Sequence, residues 1–96
     1  MKAAFRPDIP PHVAEAIRHF PPDLKRSVKA ALRALSADPE TGDPLVPELE
    51  GFWKYRVRRF RIVYAIDRQR RVLRIMAVGH RRRVYEEVAE LIRKKR

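Results

Sequence analysis

The sequence predicts an α+β fold in the order β-α-α-β-β-β-α: a mainly antiparallel sheet with an N-terminal αα-hairpin and a C-terminal helix packed on it. Three observations carry this reading. Apolar residues recur at helical spacing between Val13 and Leu35, the period changes to two from Phe52 onward, and helical spacing returns between Val84 and Ile92.

Ala3–Phe5 reads as a short strand, ended by RPDIPP. Pro10 and Pro11 suit the first turn of a helix, where a missing N–H costs nothing, and Val13, Ile17 and Phe20 form its apolar stripe. Pro21 and Pro22 stop that helix and open a second, whose stripe is Leu24, Val28, Ala31, Leu32 and Leu35. Residues 36–51 contain three prolines, two glycines and five acidic residues, a connector expected to be neither helix nor strand. The next stretch, WKYRVRRFRIVY from Trp53 to Tyr64, alternates apolar and basic residues at the period of a half-buried strand. With Arg58 and Arg59 in a tight turn it folds into a hairpin in which Val57 faces Phe60, Arg56 faces Arg61 and Lys54 faces Val63. After the turn DRQRR, Val72–Val78 is apolar almost throughout, which predicts a central strand. Val84, Val88, Leu91 and Ile92 mark the last helix, whose final turn carries Arg93, Lys94, Lys95 and Arg96 toward the negative end of its dipole.

Ninety-six residues give room for one domain, 1–96, with a modest core. The chain has no cysteine, and His12, His19 and His80 are not spaced as zinc ligands, so neither a metal nor another cofactor is expected. No apolar run is long enough to span a bilayer and no signal peptide opens the chain, so the expected location is the cytoplasm, with no membrane partner.

The charge is uneven. Residues 1–51 hold seven Lys/Arg and eight Asp/Glu, a net of −1, whereas residues 52–96 hold sixteen and four, a net of +12. Such a field attracts polyanions, nucleic acid first among them. Within it, Lys54, Arg56 and Arg61 share one sheet face, where like charges oppose strand pairing. Arg74 on the third strand is a further candidate for that face, and GHRRRVY brings His80, Arg81, Arg82, Arg83 and Tyr85 from the strand's end. Each cation taken singly is more often part of a solvated face, and Tyr85 beside Val84 fits simple packing at a helix edge. It is their convergence from three segments that points to a site.

YRVRRFRIVYAID followed by RIMAVGHRRRVYEEV resembles the RelE/ParE superfamily of toxins from toxin–antitoxin modules, the RelE-like branch in particular. These motifs span about half the chain, and the N-terminal αα-hairpin agrees with that family in order only. The resemblance implies a metal-independent mRNA interferase, an endoribonuclease that cuts messenger RNA in the ribosomal A site, with a cognate antitoxin protein as partner. It implies that Lys54 and Arg56 lie beside the scissile phosphate, that Arg61 holds it, that Arg81 serves the leaving oxygen and that Tyr85 stacks on a base. Arg58, Arg74, Arg82 and Arg83 belong to the wider RNA-binding set. The hairpin is two residues shorter than is usual in that family, a change that preserves which face each side chain takes.

RNA supplies its own nucleophile, the 2′-OH, so such an enzyme must align that hydroxyl, take its proton, neutralise the phosphorane and protonate the 5′ oxygen. The arginine fork matches phosphate oxygens two at a time. A lysine works as a base only where part of it is neutral, which cationic neighbours favour. Lys54 is therefore the candidate base. His80 is the rival, because histidine titrates near neutrality. Two other readings stand beside this one. The first is a ParE-like topoisomerase poison that cuts no RNA, against which Lys54 and Tyr85 speak, and the second is a non-catalytic RNA- or partner-binding module on the same scaffold.

Overall fold

In the computed structural model, which describes residues 4–45, 51–80 and 82–94, proline punctuation sets the first half of the chain. Helix α1 (Pro11–Arg18) starts with Pro10 at its N-cap, and Pro21 is the N-cap of α2 (Pro22–Ala37). The stripe predicted for α2 is buried in full: Leu24, Val28, Ala31, Leu32 and Leu35. From α1, Val13 is buried and Ile17 and Phe20 pack partly against the same core.

The sheet has the order β1-β5-β4-β3-β2, with β1 at Arg6–Asp8, β2 at Asp43–Pro44, β3 at Phe52–Val57, β4 at Phe60–Asp67 and β5 at Val72–His80. All neighbours are antiparallel except β1 and β5. The even positions of β4, with Ile62 and Tyr64, join Leu73, Ile75 and Val78 against α1 and α2. Val63 and Ala77 face the other way and pack on Val84 and Val88 of α3 (Arg83–Lys94). The α+β fold is thus the one predicted, with the sheet between the αα-hairpin and the C-terminal helix, and with one strand, β2, beyond the four expected.

Three local expectations are corrected. The first strand lies at Arg6–Asp8, not Ala3–Phe5, and Ala3 is outside the described residues. The amide of Phe5 donates to Ser36 O at 2.8 Å, tying the chain to the end of α2, and pairing with β5 starts only at Arg6. Pro7 is tolerated because β1 is an edge strand, where one N–H is not needed by the ladder.

The connector is also not free of regular structure. It holds a 3₁₀ turn at Pro39–Thr41, whose Glu40 amide is capped by Asp38 Oδ1 at 3.2 Å, and the strand β2, sealed by Leu45 N to Phe52 O at 2.8 Å. Residues 46–50 lie outside the described set. Finally, β5 is interior as its apolar run predicts, but β4 takes the middle place. Part of that run reflects an irregularity. Val63 pairs with Ala77 and Tyr64 with Ile75, so Met76 is extra and the alternation of β5 breaks there.

What holds the connector is Tyr64. Its hydroxyl, fully buried, donates to Pro39 O at 2.6 Å, and burial pushes the phenol up to about 12, so it remains a donor at neutral pH. Gly42 passes directly over it. A Cβ at Gly42 would overlap the Tyr64 hydroxyl and lie 2.5 Å from the Lys54 carbonyl oxygen. Gly42→Ala is therefore expected to destabilise the fold by about 1–3 kcal/mol, as overpacking does. Urea unfolding followed by Trp53 fluorescence measures this, and an unchanged midpoint would contradict the packing described.

Candidate nucleic-acid interface

The β3–β4 hairpin places its cations in the predicted register. Val57 pairs with Phe60, Arg56 with Arg61 and Lys54 with Val63. Because directly paired residues share a face, Lys54, Arg56 and Arg61 stand together on the α3 side of the sheet. Among the described residues none of the three has an ion-pair partner. Arg56 donates through Nε to Arg58 O at 3.2 Å and Arg61 through its guanidinium to Phe60 O at 3.1 Å, so backbone carbonyls, not carboxylates, orient both. Gly79 of β5 pairs with Arg61 and brings no side chain, leaving space beside that guanidinium. Arg56, Arg58, Arg59, Arg61 and His80 line a cleft of about 420 Å³ at the end of the sheet.

Arg58 occupies the hairpin turn at φ 56, the left-handed region that favours glycine. Arg82 and Arg83 are exposed at the start of α3, the positive end of the helix dipole, where a cation is unfavourable by about 0.3–1 kcal/mol. Both features set cations where stability alone would not. Tyr85, on the first turn of α3, is half-buried against the cluster that contains Val63, Val84 and Phe52, and Phe52 lies on the same face as Lys54. Arg81 lies outside the described residues.

Two candidates stand apart from this cluster. Arg74 pairs with Ala65 and so lies on the expected face, but four residues along β4 from Arg61, about 13 Å away at the opposite end of the sheet. There its guanidinium meets Asp67 Oδ2 at 3.4 Å. His80 pairs with Phe60, not Arg61, and therefore points to the α1–α2 side, its ring 4.5 Å from that of Phe60. It reaches the basic cleft only at the sheet's end.

One residue escaped the sequence reading. β2 sets Asp43 directly opposite Lys54 on the same face. The only hint in the sequence was an acidic residue in a connector rich in them, and a two-residue strand has no periodicity to detect.

The carboxyl of Asp67 is held below the usual carboxylate range, chiefly by the Arg70 amide, which donates to Oδ1 at 3.1 Å, and further by the guanidinium of Arg74. A lowered folded value stabilises the fold above the ordinary aspartate range near pH ~3.9, and that stabilisation is lost as pH falls through the folded value. Asp67→Asn is expected to lower the urea midpoint at neutral pH, with the gap to wild type closing in strong acid. A gap that is constant with pH would remove the electrostatic cause.

No described helix is long and apolar enough to cross a membrane. Among the described residues no group of three His, Asp or Glu side chains could hold a metal ion.

Solved structures share this fold. The RelBE2 toxin–antitoxin complex from Mycobacterium tuberculosis matches at a TM-score of 0.75 and 25% identity, over 84% of this chain and 95% of that one. The free E. coli toxin RelE, carrying two arginine-to-alanine substitutions, matches at 0.77 and 20%, over 94% and 99%. The archaeal RelE–RelB complex from Pyrococcus horikoshii matches at 0.70 and 22%, over 84% and 99%. No curated protein sequence matches the chain. The family model described as the ParE toxin of the type II toxin–antitoxin system parDE matches residues 8–85, which take in the αα-hairpin, the basic hairpin and Tyr85. On that match the chain belongs to the ParE toxin family of the RelE/ParE superfamily and is a toxin of a toxin–antitoxin module, with the RelE-like fold.

Proposed function

We propose that this toxin is an mRNA endonuclease that uses the RNA 2′-OH as nucleophile, acts on messenger RNA at the ribosome and so halts translation. The observation that carries the reading is the grouping of Lys54, Arg56 and Arg61 on one sheet face with no described ion-pair partner. Cations held together at the expense of strand pairing fit a ligand that brings several negative charges. In this reading Lys54 takes the 2′-OH proton, Arg61 neutralises the phosphorane with Arg56 beside it, Arg81 serves the leaving oxygen and Tyr85 supports the base. Lys54 is preferred over His80 because it shares a face with Arg61, whereas His80 is turned toward Phe60. Asp43 is the carboxylate placed to orient the Lys54 amine.

The partner is a cognate antitoxin. The Mycobacterium tuberculosis relative is a toxin–antitoxin complex and the Pyrococcus horikoshii relative a RelE–RelB complex. The +12 half of this chain favours an antitoxin segment with acidic residues over the basic face.

The experiment is cleavage of mRNA on purified ribosomes followed by analysis of product ends. Attack by the 2′-OH leaves a 2′,3′-cyclic phosphate and a 5′-OH. A 5′-phosphate would overturn the mechanism. Intact mRNA together with inhibition of a topoisomerase would favour the ParE-like alternative.

A further inference from the structure

The basic cleft does not end at Arg61. A second cleft of about 370 Å³, lined by Pro21, Asp23, Leu24, Arg58, Arg59 and Phe60, opens on the other side of the hairpin turn. Arg58 and Arg59 line both clefts, so the turn forms a basic saddle between the Lys54–Arg61 face and the α1–α2 side of the sheet. Phe60 sits at its foot between two further rings, Phe20 at 5.0 Å and His80 at 4.5 Å, both tilted. Asp23, the one carboxylate of this lining, is ion-paired with Arg26, whereas Arg58 and Arg59 have no ion-pair partner among the described residues. Arg58 also keeps its side chain at φ 56, at a conformational cost that glycine would avoid.

Cations above a partly exposed aromatic floor are what unpaired RNA binds, through its phosphates on the arginines and a base on the ring. We propose that this end of the sheet is a second nucleotide subsite, in which Arg58 and Arg59 hold a phosphate flanking the scissile one and its base enters the Pro21–Phe60 cleft. The strand then bends around the hairpin turn, one nucleotide on each side of the sheet. His80, which lines the other cleft, serves here by backing the Phe60 ring and not as a proton acceptor. The inference rests on the RNA-cleaving reading and extends it to how the strand is gripped.

The test is binding of the isolated protein to labelled, uncleavable 2′-O-methyl oligoribonucleotides, from two to six nucleotides, by fluorescence anisotropy. Lengthening past the piece that covers the Lys54–Arg61 face should raise affinity about tenfold, the scale of one stacked base. In Phe60→Leu, which keeps the apolar volume but not the ring, the ratio of long to short affinity should fall to near one. The Arg58→Ala/Arg59→Ala double variant should do the same. Because Phe60→Leu disturbs packing, a 4-thiouridine at the added position gives a reading in wild-type protein: it should cross-link to the peptide that contains Phe60. Short RNAs that bind without a gain on lengthening, a ratio unchanged in Phe60→Leu, or cross-links that avoid that peptide would each overturn the subsite and leave the nuclease reading standing. Failure of every length to bind would likewise overturn the subsite, while the nuclease reading stands or falls on cleavage at the ribosome.

Discussion

Lys54→Ala is expected to slow single-turnover cleavage about a hundredfold or more, the loss usual when a general base is removed. The expectation follows from placement. Lys54 pairs with Val63 and shares a face with Arg56 and Arg61, so its amine and the phosphate-binding guanidinium address the same ligand. His80→Ala is expected to cost far less, because register turns that ring onto Phe60, on the opposite side of the sheet from Arg61. Asp43→Asn is a necessary companion. As an orienting group Asp43 should matter less than Lys54, and an equal loss in both variants would mean that the carboxylate takes the proton. Collapse in His80→Ala with near-normal Lys54→Ala would reverse the assignment.

Arg61→Ala should be at least as damaging, by about a hundred- to a thousandfold in the same assay, the scale on which one preorganised donor to a developing oxyanion acts. Arg61 is half-buried near the hairpin end of the central strand, braced by its bond to Phe60 O and left open on the β5 side by Gly79. That setting fixes a planar fork rather than a point charge. Arg61→Lys should therefore recover only part of the loss, since an ammonium keeps the charge but not the two-oxygen geometry. Full rescue by lysine would mean that charge alone is at work. An Arg61→Ala enzyme that cleaves normally would remove the cradle from the mechanism.

The hairpin was legible because its information is local. A period of two, a two-residue turn and side chains that alternate faces are enough to put Arg56 opposite Arg61, and this pairing needs no distant contact to specify it. The helices were legible for a related reason: proline punctuation and apolar stripes at helical spacing state both where α1 and α2 begin and which side they bury. His80 was misplaced, and the distance of Arg74 from Arg61 was not legible, because both depend on the β4–β5 register, which includes an extra residue at Met76 and is set by packing on both faces of the sheet.

Composition, charge asymmetry and periodicity were thus sufficient for an α+β fold with a cationic hairpin face, since each acts within a few residues of itself. The tertiary structure alone decided that Asp43 lies across from Lys54, that the connector is pinned by Tyr64 over Gly42, and that the turn arginines look onto clefts on both sides of the sheet. These are meetings of segments far apart in the chain. A two-residue strand or a buried hydroxyl bond has no repeat to announce it, and such contacts form only when the sheet and helices have already brought their partners together.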